Sequence, residues 1–218
     1  MTRKRIETVK GAIAPISRSL WFGASEKLHE AAAALAQMRN AQDRINYEAG
    51  WTRFVDSLEE FWTRFYDEGK TAFPAFQPWA GTKDAQRKDE ELLKYLYQAR
   101  HQSQHGRIAM QWEESKLLIA PNFNGYIRAL KVFPDGTYEI DATPLHPTLP
   151  DATIAHDPGS PILPTIENKK HKQTFNPPTK FRGQPILDRT PLSVAQIGLD
   201  FYEAILSQAL KKFAPAHK

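Results

Sequence analysis

Arg100, His101 and His105 stand together in the run Arg100-His101-Gln102-Ser103-Gln104-His105, and Gly106 follows it. Imidazole exchanges a proton near neutral pH, and guanidinium can grip two oxygens of a phosphate at once. The run is the densest group of candidate acid, base and phosphate-binding side chains in the chain. A metal reading uses the same residues differently, because His101 and His105 lie four apart, a spacing at which helical histidines hold zinc. A helical metalloprotease needs glutamate directly after its first histidine, however, and Gln102 there cannot act as a base. No third ligand announces itself, since His146, His156 and Asp141 fall in irregular sequence. No metal and no cofactor is therefore expected. The chain also lacks a P-loop, a Gly-x-Gly-x-x-Gly and a Gly-x-Ser-x-Gly, so nucleotide hydrolases, dinucleotide enzymes and α/β-hydrolases have no support.

The run closes a stretch of helical periodicity, and three helices are expected before it ends. The third spans about Thr82 to His105, with Leu92, Leu93, Leu96 and Ala99 on its apolar face. The period carries that face on to Arg100 and Ser103, so Arg100 should point inward, where a guanidinium must find an anion. Asp56, Glu59 and Glu60 of the second helix are the candidates for a purely structural pairing. Tyr97, His101 and His105 follow at steps of four on a neighbouring face. A first helix is expected from Ser25 as N-cap through Leu28, Ala31, Leu35, Met38, Gln42 and Ile45. The second carries the stripe Trp51, Phe54, Val55, Leu58, Phe61, Trp62, Phe65 and Tyr66, and Gly69 can end it. Pro74, Pro78 and Gly81 make residues 71–81 a connection whose Phe73, Phe76 and Trp79 fold back onto the helices. Residues 1–24 read as a basic lead-in, with Trp21 and Phe22 docking onto the domain.

After Gly106 the period changes. Leu117–Ala120 and Tyr126–Phe133 are strand-like, and Pro134-Asp135-Gly136 reads as a turn into Thr137–Ile140. Ten of the sixteen prolines lie from Pro144 to Pro191, which favours extended, irregular backbone. Within that stretch Lys169, Lys170, Lys172, Lys180 and Arg182 surround Phe175 and Phe181. They are candidate contacts for RNA phosphates and bases, although a solvated loop is the plainer reading. Thr190-Pro191 has the chemistry of a helix start and opens a last helix whose apolar face is Val194, Gly198, Phe201, Tyr202, Ile205, Leu206, Ala209 and Phe213. The expected fold is mainly α with a small β insertion (α+β). An antiparallel four-helix-bundle-like core spans residues 25–106 plus 190–214. A β-hairpin and Pro-rich irregular segment, 107–189, precede the last helix.

Composition sets the bounds. A chain of 218 residues with 41% hydrophobic content, five Trp and twelve Phe can build one substantial core. A net charge of +4 leans only mildly towards anionic partners. With no cysteine, disulfides and thiolate chemistry are excluded. No apolar run approaches the ~20 residues of a membrane span. Pro15, Ser17, Arg18 and Ser19 interrupt what a signal peptide needs to be apolar. A cytoplasmic protein without a membrane partner is expected.

Arg100, a polar residue at 101 and His105 after a gap of four residues, set on a helix of a helical protein, resemble the short motif of the HEPN superfamily (higher eukaryotes and prokaryotes nucleotide-binding domains). The resemblance covers the motif and the rough helix count, about half the chain. It implies a metal-independent endoribonuclease of a toxin–antitoxin, phage-defence or RNA-processing system. RNA, a homodimer that pairs two motifs and an antitoxin or neutralising protein are then the expected partners. Cleavage of RNA needs one group to take the 2′-hydroxyl proton, another to protonate the leaving 5′-oxygen, and positive charge on the phosphorane. In this scheme Arg100 binds the phosphoryl oxygens and His105 is base or acid. His101, or a second copy of His105, supplies the other proton transfer. Arg100 and His105 are separated by roughly 7–8 Å along a helix axis and lie on different faces. Both reach one phosphate only if the helix unwinds near Gly106 or a second subunit contributes. The alternative is a non-catalytic helical interaction module in which the Arg/His motif is structural.

Overall fold

A computed structural model of the chain describes residues 20–104, 110–114, 116–119, 125–133, 138–144, 154–157, 159–168 and 171–213. Five helices account for most of this backbone: α1 (Phe22–Asn40), α2 (Arg44–Ala72), α3 (Phe76–Asp89), α4 (Glu91–Gln104) and α5 (Pro191–Phe213). Short antiparallel strand pairs occupy the sequence between α4 and α5. The chain is thus mainly helical with small β additions.

The helix boundaries differ from the sequence expectation where short-range chemistry is outweighed by neighbours. Ser25 lies inside α1 rather than capping it. The carboxylate of Glu68 on α2 accepts hydrogen bonds from the backbone N–H groups of Ala24 and Gly23, so the helix start is satisfied from another element. The first helix also stops at Asn40 and does not reach Ile45. Asp43 is extended and accepts from Asn46 N at 2.7 Å, which starts α2 there. Gly69 does not end α2. Phe76 packs onto that point of the backbone so closely that a Cβ on Gly69 would sit 2.4–2.6 Å from three ring atoms.

Residues 76–81, expected to be connection, belong to α3. Pro78 falls in its first turn, where the missing N–H is one the helix leaves unpaired anyway. The long third helix breaks at Glu90, whose backbone is extended. Three acidic residues in a row, Asp89 to Glu91, disfavour the end of one helix and favour the start of the next.

The aromatic stripe of α2 forms the core as expected. Trp51, Phe54, Phe61 and Phe65 are fully buried, and Trp21 packs beside Phe65 with its Nε1 donating to the Phe65 carbonyl at 3.0 Å. Phe76 is buried in the same cluster, while Phe73, Trp79 and Phe213 close its edge. Phe22, by contrast, stays 60% exposed. Thr190 caps α5, accepting from Ser193 N at 3.3 Å, and the buried face of α5 meets α1, α2 and α4.

The strands are β1 (Gln111–Trp112), β2 (Lys116–Ile119), β3 (Gly125–Val132), β4 (Tyr138–Pro144), β5 (Ile154–Asp157), β6 (Pro161–Ile162), β7 (Ile166–Asn168), β8 (Gln173–Phe175), β9 (Lys180–Phe181) and β10 (Gln184–Pro185). The expected hairpin exists as β3 paired with β4, Val132 opposite Tyr138, while residues 134–137 of its turn are outside the described residues. β2–β5 and then β1–β6 pair outside it in nested order. Strands therefore continue into the Pro-rich segment, which also forms the hairpins β7–β8 and β9–β10.

This segment is tied to α4. Glu91 accepts from Thr179 N at 2.8 Å and Glu90 from Arg182 N at 2.9 Å. Tyr95 donates to the Pro164 carbonyl at 2.8 Å, and Asn168 donates to Gln98 at 3.3 Å. Glu91, Tyr95 and Gln98 recur at steps of four and three, so one face of α4 holds the segment while Leu92, Leu96 and Ala99 enter the core.

Candidate functional site

Arg100 sits near the C-terminal end of α4, directed as the apolar face requires. Its Nε lies 3.6 Å from Oδ1 of Asp56 on α2, with the two side chains 24% and 36% exposed. Of the three carboxylates open to it from the sequence, Asp56 makes the ion pair, and Arg100 also acts through its charge on Glu59. Burial raises the Asp56 carboxyl above its ordinary value, the Arg100 guanidinium pulls it back down, and Glu60 pushes it up again. A carboxyl with a raised folded value contributes stability that is complete below its unfolded value and is lost as pH rises through the folded one. The stability of the wild type relative to Asp56→Asn should therefore fall between a pH below 3.8, the ordinary Asp56 value, and neutrality. Denaturant unfolding of both proteins across that range checks it; a difference that grows with pH contradicts the assignment.

His101 is half-buried and meets the ring of Tyr97, one turn earlier, edge-on at 4.5 Å. Helical spacing of four makes that contact. His105 lies outside the described residues, as do Lys169 and Lys170.

The three described basic candidates are spread along α4. Lys172, with φ 51, turns the chain between β7 and β8, and this hairpin is bonded to Gln98 close to Arg100. Lys180 and Arg182 belong to β9–β10, held at the opposite end of α4 by Glu90 and Glu91. From Glu91 to Arg100 the helix rises roughly 14 Å. The guanidinium of Arg182 lies over Phe181 and Phe201, 5.2 and 5.5 Å from their ring centres.

A second polar centre, not anticipated from the sequence, is built around Arg87 in the last turn of α3. Its side chain is only 9% exposed. Arg87 Nη2 meets Glu59 Oε2 of α2 at 2.6 Å, Nε donates to the hydroxyl of Tyr202 at 2.9 Å, and Nη1 is 3.7 Å from Asp84. The guanidinium lies 4.3 Å from the centre of the Trp62 ring, a cation–π contact. Burial opposes the charge on Arg87, but Tyr202, Glu59 and Asp84 outweigh it and hold its proton more firmly than usual. Burial raises the Glu59 carboxyl despite the attraction of Arg87 and Arg100. Above these groups opens a cleft of about 530 Å³ between α2, α3, α4 and β8. Tyr97 lines it, which puts the cleft beside His101.

Arg87 was hidden by its setting. It stands in the charged run Arg87-Lys88-Asp89-Glu90-Glu91, and Glu59 lies off the apolar stripe of α2. The available signal is that Arg87 follows the buried Phe76 and Ala80 at steps of four and seven, on one face of α3. Among the described residues no group of three or more His, Asp or Glu comes together as a metal site, and no helix is long and apolar enough to cross a membrane. Comparison with protein-family models, curated proteins and solved structures finds no match.

Proposed function

We propose that the chain is a HEPN-like protein that acts on RNA without metal, with a bundle of antiparallel helices as its scaffold and the Arg100–His105 run as its working end. The observation that carries the reading is the placement of Arg100. It stands near the end of α4, partly exposed, with Asp56 beside its Nε to orient the guanidinium. His101 stands next to it, against Tyr97. In this scheme Arg100 binds phosphate, His105 moves one proton, and the second proton transfer falls to His101 or to His105 of a second copy. A homodimer, a neutralising protein partner and a cytoplasmic setting belong to the same reading. Incubation with mixed RNA in EDTA tests it. The wild type should cleave, and His105→Ala should lose about 100-fold or more, the usual contribution of a positioned acid or base. Absent cleavage, or cleavage unchanged by the substitution, overturns the reading.

A second reading is favoured by the same ion pair. Arg100 joined to Asp56 within one chain is also what a structural strut between α4 and α2 looks like. The protein would then be a non-catalytic helical interaction module, its RNA incubation would be blank, and Arg100→Lys would alter only stability.

A further inference from the structure

The β3–β4 hairpin differs from the rest of the fold in what covers it. It is a sheet of two strands, each bonded only to the other among the described residues. Among those residues no helix packs against it, and the core takes none between Trp112 and Leu163. Arg128, Ala129, Leu130 and Lys131 on β3 are exposed, as are Glu139 and Asp141 on β4.

Register sorts the hairpin into two unlike faces. Residues directly opposite one another share a face, and successive residues alternate. Leu130 is opposite Ile140 and Val132 opposite Tyr138, so these four share one face. Lys131 opposite Glu139 and Ala129 opposite Asp141 take the other. Between Ile127 and Ala129 the register shifts, with Arg128 as the extra residue of β3. A bulge of this kind reverses the alternation beyond it. Here it returns Ile127 and its partner Ala142 to the face of Leu130. That face therefore carries five aliphatic residues and a tyrosine, with no charge. Leu130, in its middle, is 41% exposed.

Two strands with an open apolar face are marginal in water, so the face needs a cover that the helices do not supply. The charges select the cover. Arg128 and Lys131 make β3 basic, while Glu139 and Asp141 make β4 acidic. Joining two copies edge to edge about a two-fold axis sets β3 against β3 or β4 against β4, like charge beside like. Packing the two apolar faces about a two-fold axis parallel to the strands does the opposite. Each β3 then lies over the other copy's β4, about 10 Å away, and each rim brings a basic strand beside an acidic one.

We propose that the chain self-associates through this face of β3–β4, two hairpins packing into a small four-stranded sandwich. The face is roughly 25 Å long and 10 Å wide. That is well below the about 800 Å² per partner of a standard interface, so the dimer is weak and reversible. The contact is separate from the Arg100 run, lies outside the helices that resemble HEPN, and does not rest on RNA cleavage.

Sedimentation of the full chain from about 10 μM to about 1 mM covers the affinities of so small an interface. The wild type should pass from monomer towards dimer. Leu130→Lys sets a charge on the apolar face and should raise the dissociation constant about tenfold or more. Ala129→Lys, on the opposite face, should leave it within about twofold. Because the chain has no cysteine, Leu130→Cys and Ala129→Cys each carry a single thiol. A bismaleimide that spans about the 10 Å between packed sheets should join two copies through position 130 and not through 129. A wild type still monomeric at about 1 mM overturns the proposal and assigns the face to a different partner. So does a dimer that Leu130→Lys leaves intact, or one that cross-links equally through 129, which points to an edge or to the helices. Helical circular dichroism should be the same in every variant, since no described helix packs on the hairpin. The cysteine variants add no charge to either face, so they test the contact even if Leu130→Lys melts the hairpin.

Discussion

Glu59→Ala should lower stability by about 3–5 kcal/mol, the cost of stripping the partner from a buried ion. Arg87 would keep the Tyr202 hydroxyl and the more distant Asp84, but its closest counter-charge, at 2.6 Å, would be gone while the side chain remained 9% exposed. The guanidinium cannot neutralise itself by losing a proton, since arginine is basic enough to stay protonated in proteins whatever its surroundings. The double replacement Glu59→Leu with Arg87→Met behaves differently. It removes both charges together and fills the space with apolar groups, so it should recover most of the loss. Urea unfolding of the wild type, the single variant and the double variant measures this directly. A single-variant loss under about 1 kcal/mol is the value of a surface pair, and would mean that α3 does not cover Glu59 in solution.

That pair also marks the limit of what sequence periodicity conveys. The α2 stripe from Trp51 to Phe65 was legible because a helix covered on one side repeats its apolar residues every three or four positions. Glu59 lies off that stripe and was a candidate partner only for Arg100, yet α3 packs over it and supplies Arg87. The helix α3 itself was obscured by Pro78 and Gly81, residues that usually break helices. Pro78 is harmless in a first turn, and position in the turn is visible only once the start at Phe76 is known. Short-range signals did better where nothing distant competed: Thr190 caps α5, and the alternation of the two strand-like runs gives β3 paired with β4. At Ser25 a distant group competed, because Glu68 takes the N–H groups that start α1. The inward direction of Arg100 was legible from the same period that buries Leu96 and Ala99. The choice of Asp56 over Glu59 and Glu60 was not, since it depends on how two helices cross.

The two aromatic residues at the start of α1 give the sharpest contrast in expected effect. Trp21 and Phe22 are adjacent, both large and both expected to dock, yet Trp21 is 1% exposed and Phe22 60%. The backbone explains the split. Trp21 precedes the helix with φ 57, a left-handed conformation that L-residues adopt only when their surroundings hold them there. What holds it is the cluster of Phe65, Phe73, Phe76 and Phe213 around its ring, with centres 5.3 to 6.4 Å away, and the bond from Nε1 to the Phe65 carbonyl. Trp21→Ala empties the middle of that cluster and should cost about 3–5 kcal/mol, because its neighbours come from α2, α3 and α5 and cannot all close on the gap. Trp21→Phe keeps most of the ring contact and loses the donor, for about 1 kcal/mol. Phe22→Ala should change stability by no more than about 0.5 kcal/mol. Denaturant unfolding followed by helical circular dichroism ranks the three. If Trp21→Ala and Phe22→Ala proved equal, Trp21 would not be joining these helices, and the anchoring of α1 would have to come from its Leu28, Leu35 and Met38 face alone.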